Sequence, residues 1–303
     1  MNMPLVSIVM NCYNGDKYLS RALKSIILQK YSNWELIFWD NLSTDQSKKI
    51  FLQFNDKRFQ YYKSEKFKIL YEARNDALNK CKGKYITFLD VDDYWLEEKL
   101  SKQVKLLESD ESIGLVYSNF IKYNINKFFF KKKEINSKLF KSGKITNDLI
   151  KNYYIGLLTV MIRKSFMKND LKNFDAKYNL LSDFDYILRF SKNYKIDYIK
   201  DVLAVYYQHQ NQLQLKNISA QASQLNDWFH KKVIKEKIFE DHEDFSSIRK
   251  RIDFLNFIKD IKNKGIFSNT KDLFFYPNNL DKIKLFLILF FPKIVFEKIF
   301  SIT

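Results

Sequence analysis

Short apolar runs alternate with amphipathic stretches over the first hundred residues, and this alternation constrains the fold more than any other feature. The apolar runs, rich in β-branched and aromatic residues, predict strands at residues 6–10 (VSIVM), 34–39 (WELIFW), 59–62 and 85–89 (YITFL). Helical spacing of apolar residues predicts helices at residues 16–29 and 72–80. Strands and helices in this order are typical of a doubly wound α/β sheet whose central strands are parallel and covered on both faces.

The rest of the chain is less regular. Residues 155–162 form a further apolar run that predicts a buried strand, and residues 183–192 predict a helix. From residue 218 onward, amphipathic segments of mixed charge predict a helical C-terminal extension. We therefore expect an α/β domain followed by helices.

Polar residues follow three of the predicted strands. Asn11 and Asn14 come after the first strand, Asp40 after the second, and Asp90 and Asp92 after YITFL. Ligands of doubly wound sheets bind at the carboxyl ends of the strands, near the point where the strand order reverses. Because carboxylates end two separate strands, we expect a polar binding cleft at that edge of the sheet.

The sequence Asp90-Val91-Asp92 is the sharpest local motif. Two carboxylates separated by one residue present several hard oxygen ligands, which suit Mg²⁺ or Mn²⁺. A cation held there would bridge to the diphosphate of a substrate. Such a triplet is common by chance, but its position directly after a buried strand favours a functional interpretation.

The scarcity of glycine, cysteine and histidine excludes several other kinds of site. The six glycines form neither GxGxxG nor GxxxxGK[ST], so a dinucleotide fingerprint and a P-loop are excluded. The two cysteines and three histidines show no zinc-ligand spacing and no HExxH pattern. We therefore expect chemistry based on carboxylates, in a reducing compartment.

The chain is strongly basic, with 52 Lys and Arg against 35 Asp and Glu, and residues 119–172 alone carry 13 basic and 3 acidic residues. This charge favours an anionic partner. A nucleic-acid-binding module would account for the charge but not for carboxylates in the cleft, which repel phosphate, so we expect no nucleic acid. A nucleotidyltransferase remains an alternative, although NCYNGDKY is not the Gly-rich basic loop that it would carry after the first strand.

Two segments combine basic and apolar residues and predict contact with an anionic membrane surface. Residues 128–133 (FFFKKK) suit an interfacial contact or, equally, a solvated loop beside a hairpin. Residues 280–303 suit two short interfacial helices or a helical hairpin that closes the core, and the apolar run at 285–292 is too short to span a bilayer. Since no basic leader precedes the first strand, we expect a cytoplasmic protein bound peripherally to the inner face of the cell membrane.

Five ordered blocks carry a resemblance to a known family. They read VSIVMNCYN, YLSRALKSIILQKY, WELIFWDNLSTD, EARNDALNKCKGKYITFLDVDD and LLSDFDYILRF. Over its first two thirds the chain resembles the family 2 glycosyltransferases, which are inverting enzymes of GT-A fold. The resemblance implies a GT-A (Rossmann-like), doubly wound mixed sheet over residues 1–217, with a nucleotide-binding half at 1–110 and an acceptor half at 111–217. Residues 218–303 would then form a helical, membrane-associating extension.

The resemblance also implies a nucleotide-sugar donor site. Asp40 would accept a hydrogen bond from the ring N–H of the base, and Arg74 would contact a base carbonyl or the phosphates. Asn11, Tyr13 and Asn14 would contribute to the same donor site. The structural alternatives are a turn cap for Asp40 and an ordinary helix-surface charge for Arg74.

Catalytic and metal-binding roles follow from the resemblance in the same way. Asp90 would face the ribose or the waters of the metal, Asp92 would ligate Mn²⁺ or Mg²⁺, and His209 would lie near the metal and the diphosphate. Asp183 would be the general base that deprotonates the acceptor hydroxyl. The alternatives are a helix N-cap for Asp183 and an ordinary core or surface role for His209.

The chain departs from the family pattern at several positions. Ser182 replaces an acidic residue that usually precedes the base, Leu42 replaces a glycine, and Phe67 lies where the family favours an Asn-x-Gly segment. Asp185 is expected to be structural, because Arg189 lies four residues on and can pair with it. These departures leave the donor sugar open and keep a catalytically altered relative as an alternative.

Together these features predict a metal-dependent, inverting glycosyltransferase. The expected donor is a nucleotide sugar with UDP as the nucleotide, and the expected acceptor is a hydroxyl of a lipid-linked or surface glycan. A single displacement at the anomeric carbon, assisted by the cation and by Asp183, would transfer the sugar with inversion.

Overall fold

The computed structural model describes residues 3–124, 133–135, 140–209, 217–242 and 244–264. Its strands are β1 (Val6–Cys12), β2 (Trp34–Asp40), β3 (Phe59–Lys63), β4 (Tyr85–Phe88), β5 (Tyr94–Trp95), β6 (Ile113–Asn124), β7 (Lys133–Ile135), β8 (Met161–Arg163) and β9 (Lys195–Gln208). Its α-helices are α1 (Asp16–Ile27), α2 (Ser47–Leu52), α3 (Leu70–Leu78), α4 (Lys99–Ser109), α5 (Thr146–Lys151), α6 (Ser182–Asn193), α7 (Ile218–Trp228) and α8 (Ser246–Lys264).

A mixed sheet carries the fold, in the order β3-β2-β1-β4-β8-β6-β9-β5, with β7 paired to β6. β1 pairs in parallel with both β2 and β4, and β2 pairs in parallel with β3. β8 is antiparallel to β4 and to β6, so the sheet changes there from parallel to mixed pairing. The strand order therefore reverses between β1 and β4, and this is the switch point at which such sheets bind ligands.

The observed elements confirm most of the predicted boundaries, but the strand predicted at residues 155–162 is wrong. The chain instead makes a 3₁₀ turn at Leu157–Thr159 before the short strand β8. Thr159 closes this turn, because its backbone N–H and its hydroxyl both donate to the carbonyl of Gly156. The Trp95 indole donates to the Leu158 carbonyl at 2.9 Å. In a continuous strand, this carbonyl would accept a backbone hydrogen bond from the neighbouring strand.

Buried apolar side chains form two clusters on the two faces of the sheet. One cluster contains Val9, Ile37 and Ile86 and is covered by α3, α5 and α6. The other contains their neighbours Ile8 and Leu36 and is covered by α1 and α4. The alternation along each strand assigns successive side chains to opposite faces, as a doubly covered sheet requires.

Helices α7 and α8 also pack on the first of these clusters. Trp228 of α7 is fully buried, and its ring meets Phe184 edge-on with centroids 5.0 Å apart. Leu255 of α8 is buried in the same cluster. The described part of the predicted extension therefore contributes to the core that supports α6, and the domain division at residue 217 stays a prediction.

Most of the segments that suggested membrane contact lie outside the described residues. This applies to residues 280–303, including the apolar run at 285–292, and to residues 128–132. Of the helices in the described ranges, none has the length and apolar character needed to cross a bilayer.

A buried lysine begins α4 and reaches toward the sheet. Lys99 is fully buried, and its ammonium donates to the Thr87 hydroxyl at 2.9 Å and to the Gln103 side-chain oxygen at 2.7 Å. The same group lies 4.1 Å from the centroid of the Trp95 ring. Burial lowers the pKa of Lys99 well below its ordinary value of 10.5, because the charged form is removed from water.

We expect Lys99→Met to remove a pH dependence from the stability of the protein. Between the lowered native pKa and 10.5, only the unfolded chain binds this proton. The free energy of unfolding of the wild type therefore rises with pH there, by up to about 1.4 kcal/mol per pH unit. Urea unfolding at several pH values should show this slope in the wild type and in Lys102→Met, whose lysine is exposed, but not in Lys99→Met. An unchanged slope in Lys99→Met would refute the assignment.

Candidate functional site

Two loops at the carboxyl ends of β1 and β2 are tied together by side chains. The backbone N–H of Asn14 donates to the Ser43 hydroxyl at 3.1 Å, and the amide oxygen of Asn14 accepts from the Thr44 N–H at 2.8 Å. Asn14 and Leu42 both have left-handed backbone conformations, with φ of 53° and 66°. Leucine at such a position is strained, and this accounts for the glycine that the family favours where Leu42 stands.

Asp40 ends β2 and is almost completely buried. One carboxylate oxygen accepts the Ser43 N–H at 2.8 Å, and the other accepts the Tyr61 hydroxyl at 2.5 Å. Asp40 therefore caps the turn after β2, which was the structural alternative for this residue. A carboxylate offers about four acceptor positions, so contact with a base N–H would add a third hydrogen bond to the two observed.

Asn11 lies near the end of β1, and Tyr13 directly follows this strand, at the same edge of the sheet. Asn11 is buried, and neither its amide nitrogen nor its amide oxygen has a partner among the described residues. Unpaired buried amides are costly, so a bound ligand would stabilise this side chain. The Tyr13 ring is 53% exposed and meets the equally exposed ring of Phe67 edge-on at 4.9 Å. These two rings form an apolar surface that is open to a planar ligand.

Arg74 and Asp90 form an ion pair at the switch point. Arg74 lies on α3 but is only 2% exposed, so it is not the helix-surface charge that was its structural alternative. Its guanidinium lies 4.7 Å from the Tyr71 ring centroid. Burial opposes the charge on Arg74, but the carboxylates of Asp90 and Asp183 outweigh it and raise the pKa of the guanidinium. Asp90 is thus held by Arg74 and is less available to a metal than the motif alone indicates.

Asp92 and His209 meet at the other side of the motif. His209 Nε2 lies 3.0 Å from Asp92 Oδ2, although the two residues are 117 positions apart. The His209 ring stacks on the Tyr18 ring of α1 at 4.7 Å. Arg21 of the same helix donates to the Asp92 carbonyl at 2.5 Å and lies 3.8 Å from the Tyr207 ring centroid. Helix α1 therefore fixes the positions of both Asp92 and the end of β9.

Two residues of this region were given no role from the sequence, Asp93 and Arg21. The Asp93 carboxylate is buried and accepts the Tyr207 backbone N–H at 2.8 Å. Burial, and then repulsion from Asp92 and Asp90, raises the pKa of Asp93 well above its ordinary value. Arg21 was also missed, because its spacing within α1 resembles that of any exposed basic residue. The signal for Asp93 was its position directly after the Asp90-Val91-Asp92 motif.

Asp183 lies in the first turn of α6 and points toward the same region. Burial raises the pKa of its carboxyl, while the N–H of Phe184 and the Arg74 charge partly offset this rise. The charges of Arg74 and Asp90 act on it, so Asp183 lies close to their ion pair. It is not the N-cap, which is Leu181. Asp183 is therefore a carboxylate of raised basicity at the switch point of the sheet.

The residues on either side of Asp183 have structural partners. The buried Ser182 hydroxyl donates to the Asp175 carbonyl at 2.6 Å. Asp185 is fully buried; it accepts two hydrogen bonds from Arg189 at 2.9 and 2.7 Å and one from the Trp228 indole at 2.9 Å. The predicted Asp185–Arg189 pair is confirmed. Of the two acids in this turn, Asp185 is therefore structural, and Asp183 is the one available as a base.

The metal-binding prediction has a partial donor set in the structure. Asp92 and His209 present one carboxylate oxygen and one imidazole nitrogen at a common point, while Asp90 is held by Arg74. Across the described ranges, no three His, Cys, Asp or Glu side chains converge as a complete metal cage. Two protein ligands nevertheless fit a Mg²⁺ or Mn²⁺ ion that takes its other oxygens from substrate phosphates and water.

The fold and its polar strand ends define a GT-A domain. The chain belongs to glycosyl transferase family 2, whose family model matches residues 7–169. This confirms the predicted family and fold.

The chain is similar to several curated glycosyltransferases. The chain is 36% identical over 164 residues to the UDP-Glc:alpha-D-GlcNAc-diphosphoundecaprenol beta-1,3-glucosyltransferase WfgD of Escherichia coli, over 54% of this chain and 62% of that protein. It is 32% identical over 213 residues to an uncharacterized glycosyltransferase of Methanocaldococcus jannaschii, over 68% of this chain and 71% of that protein. The chain thus spans less than two thirds of the length of WfgD.

Solved structures share the fold at low sequence identity. S. aureus TarS in complex with UDP aligns with a TM-score of 0.55 at 17% identity, over 94% of this chain and 78% of that chain. The mannosyltransferase PcManGT of Pyrobaculum calidifontis, in complex with GDP-Man and Mn²⁺, aligns with a TM-score of 0.56 at 17% identity, over 96% of this chain and 82% of that chain. These similarities support the GT-A architecture.

Proposed function

We propose that the protein is an inverting glycosyltransferase that moves a sugar from a nucleotide sugar to a hydroxyl of a lipid-linked or surface glycan. The observation that carries the proposal is that the Arg74–Asp90 pair and the Asp92–His209 pair lie at the switch point of the sheet, and that the charges of Arg74 and Asp90 act on the Asp183 carboxyl. A basic carboxylate beside groups that suit a diphosphate and a cation is what a single displacement needs.

A nucleotide fits the edge formed by β1 and β2. The exposed Tyr13 and Phe67 rings offer a stacking surface, and the unpaired amide of Asn11 offers a donor and an acceptor. Asn14, Asp40, Arg74 and Asp90 complete the proposed donor site. We propose UDP as the nucleotide, because the solved TarS complex, which shares this fold, holds UDP.

A cation is proposed at Asp92 and His209, with Asp90 facing its waters. When bound, Mn²⁺ or Mg²⁺ would neutralise the negative charge that develops on the departing nucleoside diphosphate. Arg21 and Tyr18 hold Asp92 and His209 in position through the contacts described above. PcManGT, with Mn²⁺ and GDP-Man in a similar fold, supports this proposal.

The acceptor side is proposed to face a membrane. The name of WfgD gives a diphosphoundecaprenol-linked sugar as the acceptor of that relative. The excess of basic residues at 119–172 would attract an anionic membrane surface. We therefore propose a cytoplasmic protein that acts peripherally at the inner face of the membrane on a lipid-linked glycan.

Transfer itself is tested with purified protein, UDP-sugars, MnCl₂ and a lipid-diphosphate sugar. The expected product carries the new sugar with an anomeric configuration opposite to that of the donor, which NMR coupling constants report. A product that retains the donor configuration would exclude a single displacement.

Asp92→Asn should remove most of the Mn²⁺-dependent part of UDP binding. An amide lacks the negative charge that holds a divalent ion, so we expect the gain in affinity on adding Mn²⁺ to fall by roughly tenfold or more. Calorimetric titration with UDP, with and without Mn²⁺, measures this gain. Asp201→Asn serves as the control, because Asp201 is exposed and pairs with Lys102 away from the site. If Asp92→Asn keeps the full gain, Asp92 is not a metal ligand.

A further inference from the structure

A cavity of about 200 Å³ lies next to the first turn of α6, which carries Asp183. Helices α5, α7 and α8 form its other walls. Its apolar lining includes Phe184 and Leu225, and its polar lining consists of Lys151, Asn152, Tyr153, Ser247 and Arg251. No residue of the proposed donor site lines it, so the cavity is separate from the nucleotide edge.

Arg251 of α8 brings a positive charge to this cavity. Arg251 lines the cavity, and among the described residues its guanidinium has no carboxylate within 4.0 Å and donates no hydrogen bond. Arg251 is exposed, whereas the buried Arg74 and Arg189 pair with Asp90 and Asp185. Arg251 stays charged at all ordinary pH values, so its five N–H donors are available to an anion at the cavity.

Tyr153 adds a buried polar group without a partner. Its hydroxyl is buried and has no hydrogen-bond partner among the described residues. Its ring is fixed by an edge-on contact with Phe184, with centroids 5.1 Å apart. The charges of Asp183 and Arg251 both act on this hydroxyl, so the three groups lie near one another. A buried hydroxyl without a partner is destabilising, and a ligand oxygen would correct this.

We propose that this cavity binds a phosphate group of the acceptor, carried next to the sugar that is to be glycosylated, through Arg251 and the Tyr153 hydroxyl. The inference rests on the proposed function, because it takes Asp183 as the base that the acceptor hydroxyl must reach. A phosphate supplies several oxygens and so pairs with the guanidinium and the hydroxyl together. A neutral acceptor would give the guanidinium no charged partner. The apolar part of the lining suits the aliphatic part of a lipid carrier.

The test compares two acceptors that share one sugar and one alkyl chain. In the first, a diphosphate joins the sugar to the chain; in the second, a neutral glycosidic bond does. Arg251→Gln should raise the KM for the diphosphate acceptor roughly ten- to hundredfold, because a charge-assisted contact is lost. The KM values for the UDP-sugar and for the neutral glycoside should stay within twofold. Arg251→Lys keeps the charge and should recover part of the loss.

Arg249→Gln is the matched control. Arg249 lies two residues away on α8, with its guanidinium over the Phe229 ring at 5.4 Å rather than at the cavity. It should leave both acceptors unaffected. An equal rise in KM for the two acceptors, or no rise for either in Arg251→Gln, would overturn the proposal.

A binding measurement separates this proposal from the proposed function. If the wild type transfers no sugar to either acceptor, the proposed function fails, and calorimetry with the diphosphate acceptor alone still examines the cavity. Binding by the wild type that weakens at least tenfold in Arg251→Gln supports the phosphate site. The proposal is refuted if the wild type and Arg251→Gln bind the diphosphate acceptor equally. It is also refuted if Arg251→Gln and the control Arg249→Gln bind it equally.

Discussion

Asp183→Asn should lower kcat for sugar transfer by about 10²- to 10⁴-fold while leaving the dissociation constant of UDP unchanged. An amide cannot take the proton of the acceptor hydroxyl, so the attacking oxygen would remain neutral. The nucleotide edge, by contrast, is built by β1, β2 and the Arg74–Asp90 ion pair, and the substitution removes none of these.

The pH dependence of the wild type provides a second measure of the same role. Because burial raises the pKa of Asp183 above its ordinary value of 3.8, the base gains its proton at a higher pH than a solvated aspartate does. Activity should therefore fall as the pH decreases through this raised pKa, and the acid limb should disappear from the residual rate of Asp183→Asn.

Asp227→Asn is a suitable control, because Asp227 is half exposed and pairs with Lys177 at the surface. It should retain nearly full kcat and the same pH profile. Turnover of Asp183→Asn within threefold of the wild type would show that another group acts as the base.

Asp185→Ala should destabilise the protein by about 3–5 kcal/mol, even though Asp185 lies only two residues from the proposed base. The substitution would leave the Arg189 guanidinium buried without its main counter-ion and the Trp228 indole N–H without an acceptor. Burying each of these two groups costs free energy because it loses its contacts with water, and without Asp185 no interaction would offset this cost.

Asp170→Ala gives a matched comparison, since Asp170 contacts the same arginine. Its carboxylate lies 3.5 Å from Arg189 but is 65% exposed, so its removal should cost under about 1 kcal/mol. Urea unfolding followed by circular dichroism measures both changes. Equal losses in the two variants would mean that the burial of Asp185 does not set its contribution.

The parallel half of the fold was predictable because its strands are apolar on both faces. The predicted runs at 6–10, 34–39 and 85–89 match β1, β2 and β4 within two residues at either end. The run at 155–162 was wrong for a physical reason: a buried apolar run does not by itself distinguish a strand from a turn. The contacts of Thr159 and Leu158 that decide the outcome involve side-chain and long-range partners.

The sequence motifs predicted individual residues of the site but not which of them lie together. Asp92 and His209 were each singled out, but no local pattern shows that β9 brings them within 3.0 Å of each other. The pairing of Arg74 with Asp90 was likewise hidden, because both residues were assigned to ligands. Arg21 carried no signal at all, since its role arises from the packing of α1 against the Asp92 loop.

The hydrogen bond from Ser182 to the Asp175 carbonyl also limits how this protein can diverge. An acid at position 182 would lose that bond, and its charge would sit in a fully buried place beside the raised-pKa carboxyl of Asp183. Restoring the family's usual acid therefore requires a coordinated change in the 175–182 segment rather than one substitution.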